Sequence, residues 1–138
     1  MRIMVDTNVL ISAFVFGGKI REVLIRLFET DCELCVSEYV DGEFKRILDE
    51  KWATRADKIY TLYRSMDFVF CSSTSETLGH LRDEKDIPVL SDAIYHDADI
   101  LLTGDKDFLE AGIETPQILS PSEVLEYFLR KGFFYGKH

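Results

Sequence analysis

Short, continuous apolar runs alternate with longer amphipathic stretches along the chain. Four runs and a shorter fifth are Ile3-Met4-Val5, Leu34-Cys35-Val36, Phe68-Val69-Phe70, Ile100-Leu101-Leu102 and Ile118-Leu119. Such runs are typical of strands that are buried on both faces of a sheet. The alternation therefore predicts an α/β fold, with a mostly parallel sheet of four to five strands and helices on both faces.

The stretches between these runs have apolar residues at helical spacing. In the clearest of them, Ile20, Val23, Leu24, Leu27 and Phe28 follow the pattern i, i+3, i+4, i+7, i+8. Further predicted helices run from Ser37 through Leu48, from Ala56 through Met66, from about Pro88 through Ile94, and from a capping box formed by Ser120 and Glu123 through Phe128.

Length and composition indicate one soluble domain that spans residues 1–138. Hydrophobic residues make up 46% of the chain and charged residues 30%, which is typical of a globular protein. No apolar run approaches the roughly 20 residues that cross a membrane. Asp6 and Asn8 interrupt the apolar start, so a secretory signal is not expected. We expect a cytoplasmic protein with no membrane partner.

The cysteines and histidines favour no competing chemistry. Cys32 and Cys35 form a CxxC pair, which could be half a zinc site or a redox pair. No second CxxC follows, so two small, partly buried residues at a strand are the favoured interpretation. His80 and His96 lack ligand spacing and are interpreted as surface or structural residues.

Two acidic residues follow predicted strands. Asp6 comes directly after the first run, and Asp105 follows the fourth run after Thr103-Gly104. The carboxyl ends of parallel strands meet at one edge of the sheet, where ligand sites of such sheets form. We therefore expect both carboxylates at that edge. Considered alone, each could instead be a helix cap.

Two further acids belong to the apolar sides of predicted helices. Glu43 lies three residues after Val40 and four before Ile47, and Asp86 lies four residues before Leu90. A charge that faces the core is unfavourable unless it is paired or bound to a metal. For Glu43 the alternatives are a different helix phase, which would turn it away from the core, or a buried ion pair with Arg or Lys. Together the four acids predict a cluster of hard oxygen ligands that suits Mg²⁺, Mn²⁺ or Ca²⁺ rather than zinc.

Two end segments resemble motifs of PIN domains. Residues 5–13 (VDTNVLISA) are similar to the opening motif, and residues 102–108 (LTGDKDF) are similar to the closing strand motif. Glu43 and the segment 82–86 (RDEKD) match the middle acids in order and approximate spacing. The resemblance covers about residues 1–130, and the toxin components of toxin–antitoxin systems are the nearest group.

The resemblance implies both a fold and an activity. The fold would be a three-layer α/β/α sandwich. The activity would be that of a metal-dependent endoribonuclease, in which a metal-activated water attacks RNA in line and leaves a 5′-phosphate and a 3′-hydroxyl. Toxin members are commonly homodimers that a cognate antitoxin silences. A catalytically silent PIN fold that serves as an interaction module is the alternative.

Site roles also follow from the resemblance by position. The metal ligands would be Asp6, Glu43, Asp86 and Asp105, with Asp6 central. The supporting residues would be Asn8, Thr103 and Asp107. Many relatives carry an acid where this chain has Ile87, so Asp83 and Asp92 are fallback ligands.

The net charge of −9 is unusual for a protein that acts on RNA. Nucleic-acid binders usually carry a basic surface. A carboxylate cluster that a divalent cation neutralises would explain part of the excess. The cations considered as RNA contacts are Arg21, Lys45, Arg46, Arg82 and Lys106.

Overall fold

A computed structural model describes residues 1–131, so residues 132–138 of the predicted domain lie outside the described part. Five strands form one sheet. They are β1 (Arg2–Val5), β2 (Glu33–Ser37), β3 (Val69–Cys71), β4 (Ile100–Leu102) and β5 (Gln117–Leu119). Their order is β3-β2-β1-β4-β5, and every neighbouring pair is parallel. The predicted parallel sheet is confirmed.

Seven α-helices flank the sheet in residues 1–131 and complete a three-layer α/β/α sandwich. They are α1 (Thr7–Ile11), α2 (Gly18–Phe28), α3 (Glu38–Lys51), α4 (Ala56–Arg64), α5 (Ile87–Tyr95), α6 (Lys106–Leu109) and α7 (Pro121–Arg130). A π-helical turn at Ser12–Phe16 continues α1, and a 3₁₀ turn at Glu84–Asp86 precedes α5. The predicted capping box is present, with Ser120 and Glu123 bonded reciprocally at the start of α7.

Some boundaries differ from the sequence prediction. Strand β3 begins at Val69 rather than Phe68, because Val69 is the first residue paired with β2. Helix α4 ends at Arg64 rather than Met66, and the amide of Ser65 closes its last turn. Helices α1 and α6 were not predicted, since both are short and lack a full amphipathic period.

The core lies against the central strands and one aromatic cluster. Ile3, Met4 and Val5 of β1 are fully buried. On α3 and α4, Phe44 and Tyr63 pack edge to face with ring centroids 4.8 Å apart. Burial of side chains of this size stabilises the fold by about 1.5–3 kcal/mol each. The buried central strands therefore fix the positions of the residues that directly follow them.

The strand order places a switch point beside β1. The chain moves from β1 to β2 on one side, whereas β4 pairs with the other side of β1. The amide of Asp6 donates to the carbonyl of Leu102 at 3.0 Å, which extends the ladder past the end of β1. A crevice at such a point is where open α/β sheets bind ligands.

No helix within residues 1–131 is both long enough and apolar enough to cross a membrane.

Candidate metal centre

Asp6 lies at the carboxyl end of β1 with its side chain only 5% exposed. It caps α1, and its Oδ1 accepts a hydrogen bond from the Thr7 amide at 2.7 Å. Its Oδ2 accepts a second from Thr103 Oγ1, also at 2.7 Å. Burial raises the pKa of Asp6 to about 6, with smaller contributions from the carboxylates of Glu43 and Asp105, and the two hydrogen bonds oppose this rise.

Glu43 reaches the site from α3. Its Oε1 accepts a hydrogen bond from the Thr7 hydroxyl, so Thr7 joins the start of α1 to α3. Asp41 on the same helix has a different role, because its carboxylate accepts hydrogen bonds from the hydroxyls of Tyr60 and Tyr63. Of these two acids on α3, Glu43 is therefore the one that faces Asp6.

Asp105 follows β4 and caps α6. Its amide donates to Thr103 Oγ1 at 3.1 Å, and its Oδ1 accepts from the Asp107 amide at 2.9 Å. The neighbouring Gly104 amide donates to Asn8 Oδ1 at 3.3 Å, which joins the turn after β4 to α1. Thr103 and Asn8 thus join the two turns that carry Asp6 and Asp105, and their role in supporting a metal site stays a prediction.

Asp86 lies at the start of α5, makes no side-chain capping hydrogen bond there, and faces the other carboxylates. Its pKa rises to about 7 because burial, the nearby Asp105 carboxyl, and then Asp6 and Asp83 all disfavour its ionised form. The Asp105 carboxyl therefore lies close enough to disfavour a charge on Asp86, because two ionised carboxylates only accept hydrogen bonds and repel each other. Within residues 1–131 no donor reaches the buried Oδ2 of Asp86.

The four predicted ligands therefore converge, and a second acidic group adjoins them. We call Asp6, Glu43, Asp86 and Asp105 the inner acidic group. The outer acidic group consists of Asp83, Asp86 and Asp107, whose nearest carboxylate oxygens lie within 4.8 Å of one another. Asp86 belongs to both groups. The fallback residue Asp83 and the supporting residue Asp107 thus lie at the same site.

Asp92, the other fallback residue, has a different environment. It is 1% exposed. Its carboxylate accepts hydrogen bonds from Ser73 Oγ at 2.7 Å and from the Thr74 amide at 2.8 Å. These bonds tie α5 to the irregular segment that follows β3. Asp92 therefore anchors this segment, which accounts for a buried acid without a metal.

Sequence reasoning assigned no role at the site to Thr7 or Tyr39, and it considered Arg82 only as an RNA contact. Thr7 holds Glu43. Tyr39 lies near the cluster, since burial and then the charges of Glu43 and Asp86 raise its pKa. Arg82 forms an ion pair with Asp107. The spacing of Tyr39 four residues before Glu43 on one helix was the signal that could have indicated the tyrosine.

The residues considered for other chemistry have ordinary environments. Cys35 is buried in β2, Cys32 is partly buried just before that strand, and both are free thiols. The Nε2 atom of His96 lies 2.6 Å from the carbonyl oxygen of Ser72, and His80 is exposed.

The chemistry of the donors fits a hard divalent cation. Every side chain in the two acidic groups offers carboxylate oxygens, which Mg²⁺ and Mn²⁺ prefer over the nitrogen and sulfur ligands of zinc. The buried Oδ2 of Asp86 lacks a donor, and a bound cation would satisfy it. A cation would also stabilise the ionised forms of Asp6 and Asp86, which burial and then the repulsion of neighbouring carboxylates disfavour.

Comparison with known proteins identifies a matching family and similar solved structures. The family model described as PIN domain matches residues 2–107. Among solved structures, VapBC2 from Rickettsia felis bound to a DNA fragment from its promoter is similar, with a TM-score of 0.70 and 16% identity over 87% of this chain and 98% of that chain.

A second similar structure is Mycobacterium tuberculosis VapC20, a Sarcin-Ricin loop cleaving toxin. Its TM-score is 0.61 with 15% identity, over 81% of this chain and 96% of that chain. No curated protein sequence matches the chain significantly. At such low identity the two structures establish the shared fold.

Proposed function

The chain belongs to the PIN domain family, and from this premise we propose that it is a divalent-metal-dependent endoribonuclease acting as the toxin of a toxin–antitoxin pair. The observation that carries the proposal is the convergence of the inner acidic group at the carboxyl ends of β1 and β4. Within it, Asp86 keeps a buried oxygen without a donor. A purely structural cluster would be expected to satisfy that oxygen.

Mg²⁺ or Mn²⁺ would be held by Asp6, Glu43, Asp86 and Asp105. Bound there, the cation would lower the pKa of an attacking water and stabilise charge on the phosphate during in-line displacement. Asp83 and Asp107 would take part directly or through water, because their oxygens lie beside those of Asp86.

The chain's own residues would keep the ligands aligned and ionised. Thr103 and the Thr7 amide donate to the two oxygens of Asp6, which favours its charged form against the effect of burial. The proton that Asp86 retains near neutral pH would have to leave when the cation binds. Metal binding would therefore release protons and strengthen as the pH rises.

The proposed biological setting comes from the similar structures. VapC20 is a Sarcin-Ricin loop cleaving toxin, and VapBC2 is bound to a DNA fragment from its promoter. We extend to this chain an RNA substrate, a cognate antitoxin, a homodimer and a cytoplasmic location. Because the net charge of the chain is −9, we expect only a few basic side chains around the metal site to contact the RNA.

Cleavage of defined RNAs tests this function. The purified protein is incubated with single-stranded and hairpin RNAs in Mn²⁺, in Mg²⁺ and in EDTA. Asp6→Asn is compared with Asp31→Asn, a matched change at an exposed position before β2, at the opposite edge of the sheet. We expect cleavage that needs the metal, is lost in Asp6→Asn and persists in Asp31→Asn.

Two results would argue against the proposal. Cleavage in EDTA, or full activity of Asp6→Asn, would contradict the metal mechanism. No cleavage across a broad set of RNAs, together with no Mn²⁺ binding by calorimetry, would instead favour the catalytically silent interaction module.

A further inference from the structure

Arg82 places a positive charge directly on the outer acidic group. Its Nη2 forms an ion pair with Oδ1 of Asp107, whose oxygens also lie beside those of Asp83 and Asp86. Other arginine–carboxylate pairs within residues 1–131 join acids outside the two acidic groups, such as Glu33, Asp41, Glu50 and Glu126. Arg82 is thus a counterion that the protein supplies at this site.

The pair is well placed to break and re-form. The Arg82 side chain is 84% exposed and that of Asp107 is 25% exposed. Exposed ion pairs of this kind contribute little to the stability of the fold, because water screens them and the side chains lose freedom. The guanidinium can therefore leave Asp107 with little effect on the fold.

A divalent cation and Arg82 would compete for the same oxygens. A cation bound at the outer acidic group would draw Asp107 towards itself and repel the guanidinium, since both carry positive charge. Arg82 borders a cavity of about 600 Å³ between the segment before α5 and helix α6, lined by His80, Leu81, Arg82, Asp107, Glu110 and Ala111. The released side chain would have room to reorient there.

A phosphate is the group that a released guanidinium suits best. Its planar set of donors matches two phosphate oxygens at once. On a chain with a net charge of −9, a cation beside the metal site is also where an RNA backbone would be attracted most specifically.

We propose that Arg82 exchanges partners, pairing with Asp107 in the metal-free protein and with a phosphate of the RNA once the cation has bound. This inference rests on the proposed function and adds to it a residue that opposes metal binding while it promotes substrate binding. A residue with a merely structural role would not affect the two in opposite directions.

Arg82→Gln, Arg82→Lys and Arg130→Gln test the proposal. Arg130 forms a comparable surface pair with Glu126 and is 78% exposed, so Arg130→Gln changes the net charge equally at a remote position. Mn²⁺ affinity is measured by calorimetry without RNA. KM and kcat for RNA cleavage are measured at saturating Mn²⁺ over a series of salt concentrations.

For Arg82→Gln we expect Mn²⁺ to bind about two- to tenfold more tightly, because a nearby like charge is gone. KM should rise about three- to tenfold, with kcat less affected. The slope of log KM against log salt concentration should fall by about 0.7, the amount expected for one lost phosphate contact on single-stranded RNA. Arg82→Lys should bind Mn²⁺ like the wild type, and Arg130→Gln should match the wild type in both measurements.

If Arg82→Gln and Arg130→Gln had the same Mn²⁺ affinity and the same KM, the inference would be overturned. The proposed function would still stand in that case, provided that the wild-type protein binds Mn²⁺ and cleaves RNA. Weaker binding of both Mn²⁺ and RNA by Arg82→Gln would overturn it as well, since that pattern indicates a structural role. A wild-type protein that neither binds Mn²⁺ nor cleaves RNA would overturn both proposals.

Discussion

Thr103 donates a 2.7 Å hydrogen bond from Oγ1 to Oδ2 of Asp6, although the two residues are 97 positions apart in the chain. The same hydroxyl accepts a hydrogen bond from the amide of Asp105. Both Thr103 and Asp6 are buried, so water does not replace these contacts. One hydroxyl therefore joins the acids that follow β1 and β4 and favours the ionised form of the more buried one.

Thr103→Val should shift the pH dependence of metal binding upwards. Without the donated hydrogen bond, the pKa of Asp6 should rise further above about 6, and protons should compete with Mn²⁺ at higher pH. Mn²⁺ affinity measured by calorimetry from pH 5 to 8 checks this, and Thr103→Ser should restore the wild-type curve. An unchanged midpoint in Thr103→Val would contradict the role assigned to the hydroxyl.

Asp6→Asn should stabilise the metal-free protein. The pKa of Asp6 in the folded state lies above its ordinary value, so its favourable contribution is present below about pH 4 and is lost as the pH rises through about 6. At neutral pH the neutral amide removes that penalty, which is on the order of 1–3 kcal/mol, but its single oxygen can replace only one of the two acceptors, so the net gain is smaller. Urea unfolding in EDTA at pH 7.5 measures the free energy of unfolding.

Added Mn²⁺ should reverse the order of stability. It stabilises a protein that binds it by about 2.7 kcal/mol at a hundredfold excess over Kd. The wild type should gain this amount and Asp6→Asn should not, while Asp31→Asn should follow the wild type throughout. A less stable Asp6→Asn in EDTA would contradict the prediction for the metal-free protein and would show that the hydrogen bonds accepted by the carboxylate outweigh the cost of its burial. An equal gain from Mn²⁺ in the wild type and Asp6→Asn would show that Asp6 is not a metal ligand.

The fold was largely predictable because burial leaves a clear pattern in the sequence. The three runs that form β1, β2 and β4 have no polar residue, and the structure buries them in the middle of the sheet. Helix α1 escaped prediction because Thr7, Val9 and Leu10 are all buried, so no exposed face alternates with a buried one. Such a segment looks like an extension of the preceding strand.

Asp6 and Asp105 were the most directly predictable residues of the site, because the position of the backbone determines where they lie. Asp6 and Asp105 lie at strand ends, so their convergence follows from the parallel sheet. Asp92 was a fallback ligand in the sequence because the resemblance leaves the register of the acids around Ile87 open. Its partner Ser73 belongs to an irregular segment 19 residues earlier, and no periodicity indicates that contact. The Arg82–Asp107 pair likewise depends on a loop conformation.

Thr7→Val should weaken metal binding through Glu43. The hydroxyl of Thr7 donates to Glu43 Oε1, and its loss would leave the carboxylate free to turn towards solvent. Partners of this kind typically change metal affinity by about 10- to 100-fold. We expect a lower Mn²⁺ affinity in Thr7→Val, near wild-type affinity in Thr7→Ser, and no change in Thr61→Val, an exposed control on α4.

A double-mutant cycle separates this role from general damage to the site. Because Thr7 would act through Glu43, adding Thr7→Val to Glu43→Gln should lower Mn²⁺ affinity little further. Fully additive losses in calorimetry would show that Thr7 affects the metal by another route.

Replacing Asp83, Asp86 and Asp92 one at a time by Asn should distinguish ligands from the loop anchor. Asp86→Asn and Asp83→Asn should lower Mn²⁺ affinity. Asp86→Asn should also raise the thermal midpoint in EDTA, because the raised pKa of Asp86 shows that its charge is unfavourable in the folded protein. Asp92→Asn should keep Mn²⁺ affinity within about threefold, since an amide oxygen can still accept from the Thr74 amide.

Asp92→Ala should instead lower the free energy of unfolding by about 2–4 kcal/mol, because Ser73 Oγ and the Thr74 amide lose their partner. Urea unfolding in EDTA measures this loss, and Mn²⁺ calorimetry on the folded variant completes the comparison. If Asp92→Asn abolished Mn²⁺ binding without destabilising the protein, Asp92 would be a metal ligand rather than the anchor of the segment that follows β3. Asp92 would then have to leave Ser73 and turn towards the inner acidic group when the cation binds.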